Sequence, residues 1–314
     1  MQIGDWTATG TFNQRYRGLR QMGLEQNVAE LEAFGFTVVE PEKVAPADFT
    51  RRLRDRLLEI ASRRTGVPHA LDRPGDPGRY DSEPRFGSQY VLYYLALEDD
   101  VFAEALLNPV ATALSSYLLG GDYRLSSLTC FVKWAGPPTG SLGLHADYPG
   151  GLRGDLPPVY GLVANATWVL TDYTRENGAL AVVPGSHRLA RRPGPGEGED
   201  DAIPVEAPAG SLVVWHGNLW HGAYPKSTPG LRLSLVNYMC RPAMRTQEDY
   251  RPQLTPEVRA RLPKRLVDML GGFDPMMWTD ERGPQFEHYA SLAAAADQAD
   301  DGEGRAHAMT TAGA

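Results

Sequence analysis

At residues 125 to 134, LSSLTCFVKW marks a change in the character of the chain. Upstream, apolar residues recur mostly at helical spacing. From Leu125 they come instead in short runs of β-branched and apolar side chains closed by turn-forming residues. Four more such runs follow: VYGLVANATWVLTD (159 to 172), ALAVVPG (179 to 185), GSLVVWHG (210 to 217) and LRLSLVNYMC (231 to 240). RENG (175 to 178) and PKSTPG (225 to 230) supply turn chemistry between them. At least five short strands so punctuated read as a sandwich or barrel, and the expected architecture is a jelly roll with flanking helices.

Outward from this core the patterns are helical or irregular. EQNVAELEAFGFTVV (25 to 39) places Val28, Leu31 and Phe34 on one helical stripe, and Gly35 can end the helix before the strand-like FTVV. A second amphipathic helix is expected over 47 to 64, on Phe49, Leu53, Leu57, Leu58 and Ile60, and a third over 99 to 119 ending at Gly120-Gly121. The Gly-, Pro- and Asp-rich stretch 66 to 88 reads as an irregular loop over a site, and 188 to 209 as a mobile insertion without a buried role. The expected organisation is one domain over 1 to 290: a helical part at 25 to 120, a core at about 125 to 242 and a C-terminal cap at 243 to 290. The tail, 291 to 314, has almost no large apolar side chains and is expected to be disordered.

With 42% hydrophobic residues in 314, the chain can bury a substantial core. A formal net charge of -8 argues against a nucleic-acid partner, which would call for a clustered excess of Lys and Arg. No run approaches the ~20 apolar residues of a membrane span, and MQIGDWTATG lacks the charged and apolar regions of a secretory signal, so a cytoplasmic location is expected. Two cysteines, Cys130 and Cys240, cannot form a disulfide framework or a Cys-rich zinc site, so any metal falls to His and carboxylate.

The strongest chemical signal is HAD at 145 to 147, followed at the end of the run GSLVVWHGNLWHG by His221. Two His and one carboxylate suit non-haem iron(II), because they fix three coordination positions and leave three open. In an extended segment His145 and Asp147 point to one side and can grip one ion, while His221 arrives from another strand. The triplet alone is weak, since an ordinary exposed His reads the same way. Arg232 strengthens it: it lies on the next strand, where a hairpin would bring it to His221, and a guanidinium clamps a carboxylate through two parallel hydrogen bonds. Ser234 shares its strand face, although periodicity does not say whether that face is inside. His216 and His187 read as structural.

GFTVVE after the opening helix, the HAD triplet, TWVLTDYTRENGALAVVPGSHR and WHGNLWHGAYP with its downstream Arg together resemble the phytanoyl-CoA dioxygenase family over most of residues 25 to 242. The resemblance implies a double-stranded β-helix (a cupin-like jelly roll) and an iron(II)- and 2-oxoglutarate-dependent oxygenase that couples O2 and decarboxylation of 2-oxoglutarate to oxidation of a small molecule. It makes His145, Asp147 and His221 the iron ligands and Arg232 the clamp for the C5 carboxylate. Trp168 matches an aromatic position lining the co-substrate pocket, Thr129 falls on a strand that often adds a contact, and Ser234 is a further polar candidate. Where some relatives carry a hydroxyl two residues after the distal His, this chain has Ala223, so the carboxylate leans on Arg232 and Ser234. Halogenating relatives replace the carboxylate ligand by Ala or Gly, whereas Asp147 is retained. Two other readings stay open: a non-catalytic jelly-roll binding protein and a zinc hydrolase using the same triad. Substrate choice is assigned to the loop at 66 to 94, to Tyr148 and the residues after it, and to 243 to 289; these include Arg85, Phe86, Tyr90, Tyr93, Arg245, Trp278 and Phe286.

Overall fold

A computed structural model describes residues 10 to 80, 88 to 137, 140 to 147 and 161 to 272. In chain order the strands among them are β1 (Phe36–Val39), β2 (Gln89–Leu92), β3 (Arg124–Lys133), β4 (Val163–Val169), β5 (Leu180–Val182), β6 (Ile203–Pro204), β7 (Leu212–His216), β8 (His221–Ala223) and β9 (Arg232–Cys240). The larger sheet runs β1-β7-β4-β9-β3-β2 and is antiparallel throughout. The smaller runs β6-β5-β8 and is extended past β8 by an antiparallel bridge between His145 and His221. This is the expected jelly roll, mainly β with helices on one side.

Register sorts the large sheet into two faces. Directly opposed residues share a face, so Lys133 with Arg232, Phe131 with Ser234, Thr129 with Val236 and Asn165 with Tyr238 form one set. Trp168, Leu212 and Leu235 belong to the other. The second set meets the helices α4 (Ala47–Thr65) and α6 (Pro109–Leu119). Phe49 of α4 lies with its ring centroid 5.0 Å from that of Trp168, and Leu53, Leu57 and Ile60 extend the same buried stripe. This helix-backed layer is the main hydrophobic core. The first set faces the barrel interior.

The helix boundaries follow the punctuation. α2 (Glu25–Phe34) ends at Gly35, which takes a φ of 83° that other residues avoid and donates its N–H to the Leu31 carbonyl. The predicted 99 to 119 helix is two, α5 (Asp100–Leu106) and α6. Pro109 lacks an N–H, while the Asn108 side chain accepts from the amides of Val110 and Ala111, so a new helix starts there. A first helix, α1 (Gly10–Gln21), and a single-turn helix after β1, α3 (Pro41–Val44), are not marked by the apolar spacing.

Two larger differences concern topology. β8 and β9 do not form the expected hairpin: β8 pairs with β5 in the small sheet and β9 with β3 and β4 in the large one, so the intervening PKSTPG crosses between sheets. The stretch 188 to 209 also takes part in the fold. Its Ile203 and Pro204 pair with β5, Val205 and Ala207 are buried, and the Trp220 indole donates to the Arg191 carbonyl at 2.8 Å. Several of the charged residues that suggested a loose segment are engaged: Arg191 pairs with Glu197 at 2.6 Å, and Glu199 accepts from the Ser141 hydroxyl and the Leu142 amide. Among the described residues no helix is long and apolar enough to cross a membrane. Arg85, Phe86, Tyr148, Trp278, Phe286 and the tail lie outside the described residues.

Candidate metal centre

His145, Asp147 and His221 each offer a ligand atom, and these atoms all lie within 4.8 Å of one another. The backbone does most of the placing. His145 and His221 exchange reciprocal N–H to carbonyl hydrogen bonds at 2.9 and 2.8 Å, which sets their rings side by side with centroids 4.3 Å apart. Two residues on, the Asp147 amide donates to the Gly217 carbonyl at 2.8 Å, so the carboxylate returns to the same side as His145 while Ala146 packs away against Trp220.

Both imidazoles are oriented through Nδ1, which lies 2.9 Å from the Gly143 carbonyl in His145 and 2.9 Å from the Leu219 carbonyl in His221. A carbonyl can only accept, so each Nδ1 carries the proton and each Nε2 presents a lone pair. Those Nε2 atoms lie 3.7 and 3.4 Å from the two Asp147 oxygens. Burial pushes the His221 imidazole below its ordinary proton affinity, partly offset by Asp147, which favours the neutral form a metal needs. Asn165 of β4 donates from Nδ2 to Asp147 Oδ2 at 2.6 Å and fixes the carboxylate. Exposure is graded: the side chains of His145, Asp147 and His221 are 57%, 15% and 7% exposed, so the centre opens on the His145 side.

On the inner face of the large sheet, Arg232 is buried over the Tyr173 ring, its guanidinium carbon 5.2 Å from the centroid, and Nη1 donates to Ser234 Oγ at 2.8 Å. Its Nε is buried with no protein partner. An unsatisfied buried guanidinium N–H costs about 1–3 kcal/mol or more, and this donor is left for an anionic ligand to satisfy. Thr129 is buried on the same face, opposite Val236.

Trp168 is placed differently from expectation. It stands on the helix side of β4, fully buried against Phe49, with β4 itself between it and the centre, and so is a core residue. Tyr90, expected at the substrate, is likewise buried on the outer face of β2, its hydroxyl 2.7 Å from His69 Nε2; Tyr93 and Arg245 are exposed. The His216 and His187 rings lie tilted against each other with centroids 5.6 Å apart, on the opposite face of the sheet from the triad, and burial holds His216 down to about 4.

Sequence reasoning missed Asn165, Lys133 and Tyr238. Each is a polar side chain in a strand whose other residues are mostly apolar, and that is the one signal that could have marked them. Tyr238 stands directly opposite Asn165, and burial, with the Asp147 charge as a lesser cause, raises its phenol above the ordinary tyrosine range.

Fold and side chains together define a jelly-roll protein with a two-histidine, one-carboxylate centre. The chain belongs to the phytanoyl-CoA dioxygenase (PhyH) family, whose profile matches residues 31–234. The dioxygenase af480 of Aspergillus fumigatus is 32% identical over 181 residues, a match spanning 57% of this chain and 57% of that one. An uncharacterized protein of Mycobacterium tuberculosis, Rv1501, is 27% identical over 256 residues, 80% of this chain and 87% of its own length. Among solved structures, the epimerase SnoN in complex with Fe3+, alpha ketoglutarate and nogalamycin RO superposes with a TM-score of 0.54 at 21% identity, over 84% of this chain and 98% of that one. HygX from Streptomyces hygroscopicus, with nickel, 2-oxoglutarate and hygromycin B bound, gives 0.53 at 18% identity, over 75% and 94%. At these identities the structures share the fold. The chain is accordingly an oxygenase of the non-haem iron, 2-oxoglutarate-dependent class.

Proposed function

We propose that this oxygenase hydroxylates an unactivated C–H bond of a small organic metabolite, releasing succinate and CO2, with His145, Asp147 and His221 as the iron ligands and Arg232 and Ser234 as the clamp for the C5 carboxylate of 2-oxoglutarate. The observation that carries the reading is the pairing of two features: a triad with both Nε2 lone pairs turned to one carboxylate, and, on the inner face of the large sheet, a buried guanidinium whose Nε lacks a partner. Bound ferrous iron supplies O2 activation coupled to decarboxylation of the 2-oxo acid.

The chain's own residues do the positioning. Asn165 holds Asp147 so that the carboxylate faces the two imidazoles, and the Nδ1–H bonds keep the rings from rotating. Arg232 and Ser234 fix the far end of the co-substrate, with Thr129 as an adjacent contact, which orients the chelating end. Val163, Val236, Phe131, Leu162 and Met244 form an apolar cluster with Tyr238. SnoN and HygX were each solved with a small organic molecule, nogalamycin RO and hygromycin B, which supports a substrate of that size. The test is succinate release from 2-oxoglutarate under air with a panel of candidate substrates. Asp147→Ala is expected to lose most iron and all substrate-coupled turnover; unchanged turnover removes the triad from the mechanism.

A further inference from the structure

Three cations cluster at the base of the barrel. Lys133 of β3 stands directly opposite Arg232 of β9 on the inner face, and Lys226, in the connection between sheets, completes the group. All three are buried: Lys133 is 7% exposed, Arg232 4% and Lys226 1%. Among the described residues no carboxylate lies within ion-pair distance of any of them. Lys226 is satisfied without one, since its Nζ donates to Asn177 Oδ1, Thr228 Oγ1 and the Pro229 carbonyl. Lys133 is not: its Nζ donates to the Tyr224 carbonyl at 2.6 Å, which uses one of three ammonium hydrogens. Arg232 keeps a buried Nε–H with no partner.

Buried charge without a counter-charge is costly and persists where a ligand supplies the missing partner. Two neighbouring cations with unused donors fit one carboxylate with an oxygen for each. We propose that Lys133 is a second positioning residue for the distal carboxylate of 2-oxoglutarate, donating from its ammonium to the carboxylate that Arg232 clamps. This rests on the oxygenase reading.

The charge pattern supports the geometry. Burial first, then Arg232 and Lys226, pull Lys133 down to about 7. The groups around it are Arg232 on β9, Lys226 and the Tyr224 carbonyl from the segment after β8, and the uncharged Gln89 opposite on β2. A carboxylate arriving there restores the ammonium form, so above pH 7 co-substrate binding draws in a proton.

The test uses the full chain loaded anaerobically with iron(II), titrated with 2-oxoglutarate and with 2-oxobutanoate, which chelates through the same end but has no distal carboxylate. Lys133→Met is expected to weaken 2-oxoglutarate by about 10- to 100-fold, the loss of one charge-assisted hydrogen bond, and 2-oxobutanoate by less than about 3-fold. Calorimetry in two buffers of different ionisation enthalpy at pH 8 should show proton uptake by wild type that exceeds that of Lys133→Met by nearly one, any uptake by Lys226 being common to both. Lys133→Arg should recover most of the affinity without the proton. Equal weakening of both ligands, or none, overturns the assignment. Arg232→Met is the parallel control: if it weakens 2-oxoglutarate while Lys133→Met does not, only the role of Lys133 fails. If wild type binds no 2-oxoglutarate, the oxygenase reading fails with it.

Discussion

Asn165 is the most informative single residue to change, because one hydrogen bond connects it to the centre and little else depends on it. Its Nδ2 donates to Asp147 Oδ2 at 2.6 Å, and it is 1% exposed. A hydrogen bond to a charged group contributes roughly 1.5–3 kcal/mol. Losing the partner that orients a metal-binding side chain typically weakens metal affinity about 10- to 100-fold, or ~1.4–2.7 kcal/mol. Asn165→Ala is therefore expected to lower iron(II) or cobalt(II) affinity by about 10- to 100-fold, and to destabilise the metal-free protein, which loses the same hydrogen bond, by about 1.5–3 kcal/mol. Asn165→Leu, which restores volume but not the donor, should behave like the alanine variant and thereby separate hydrogen bonding from packing. Metal titration followed by absorbance, alongside urea unfolding of the apo protein, reads both quantities. Wild-type metal affinity in both variants would refute the idea that Asn165 holds Asp147 in place.

Trp168→Ala removes a fully buried ring from the helix-facing core and should cost about 3–5 kcal/mol of stability in urea unfolding; the 2-oxoglutarate affinity of the folded fraction should stay near wild type, against the position lining the co-substrate pocket that the family resemblance suggested. At Gly222, between His221 and Ala223, an added Cβ would lie 2.2 Å from the Leu142 carbonyl oxygen, so Gly222→Ala must push the His145 segment off β8, and metal affinity should fall by at least about 10-fold. The pH dependence of metal-free stability has a defined sign. Below about 7 Lys133 is charged in both folded and unfolded chains, whereas between about 7 and 10.5 the unfolded chain holds a proton that the folded chain has released, so stability rises with pH across that window. Lys133→Met should flatten the rise, leaving the smaller contribution of Lys226, which burial and Arg232 hold at about 8.

Much of this molecule is legible without coordinates, and what is not has a physical cause. Gly35, Asn108-Pro109 and the turn residues punctuate the elements because they act locally, through φ and through missing or capping hydrogen bonds. Sidedness in the central strands is another matter. β4 and β9 are buried at every position, one face under helices and the other inside the barrel, so the polar alternation that marks a half-exposed strand is absent. Periodicity therefore gives no face for the Trp168 ring, and the pocket-lining position implied by the family resemblance is not where the register puts it. A fainter alternation survives: Asn165 and Thr167, like Arg232 and Ser234, stand on the inner face, whereas the other face carries Ala164, Ala166, Leu233 and Leu235, with Asn237 as its exception. The triad follows from residue types together with the family resemblance, whereas the His145–His221 bridge that closes it joins segments 76 positions apart in sequence and has no local signature. The β8–β9 crossing shows the same limit, since nothing in PKSTPG distinguishes a hairpin turn from a passage between sheets.

The most direct check is spectroscopic. Under strictly anaerobic conditions, addition of 2-oxoglutarate to the iron(II)-loaded chain should produce a weak visible absorption band that saturates at one equivalent per chain. The band should be absent in Asp147→Ala and shifted to far higher co-substrate concentration in Arg232→Met. A chain that binds iron at these three residues yet gives no band, or gives the same titration with Arg232 removed, would contradict a centre built to hold metal and dicarboxylate together.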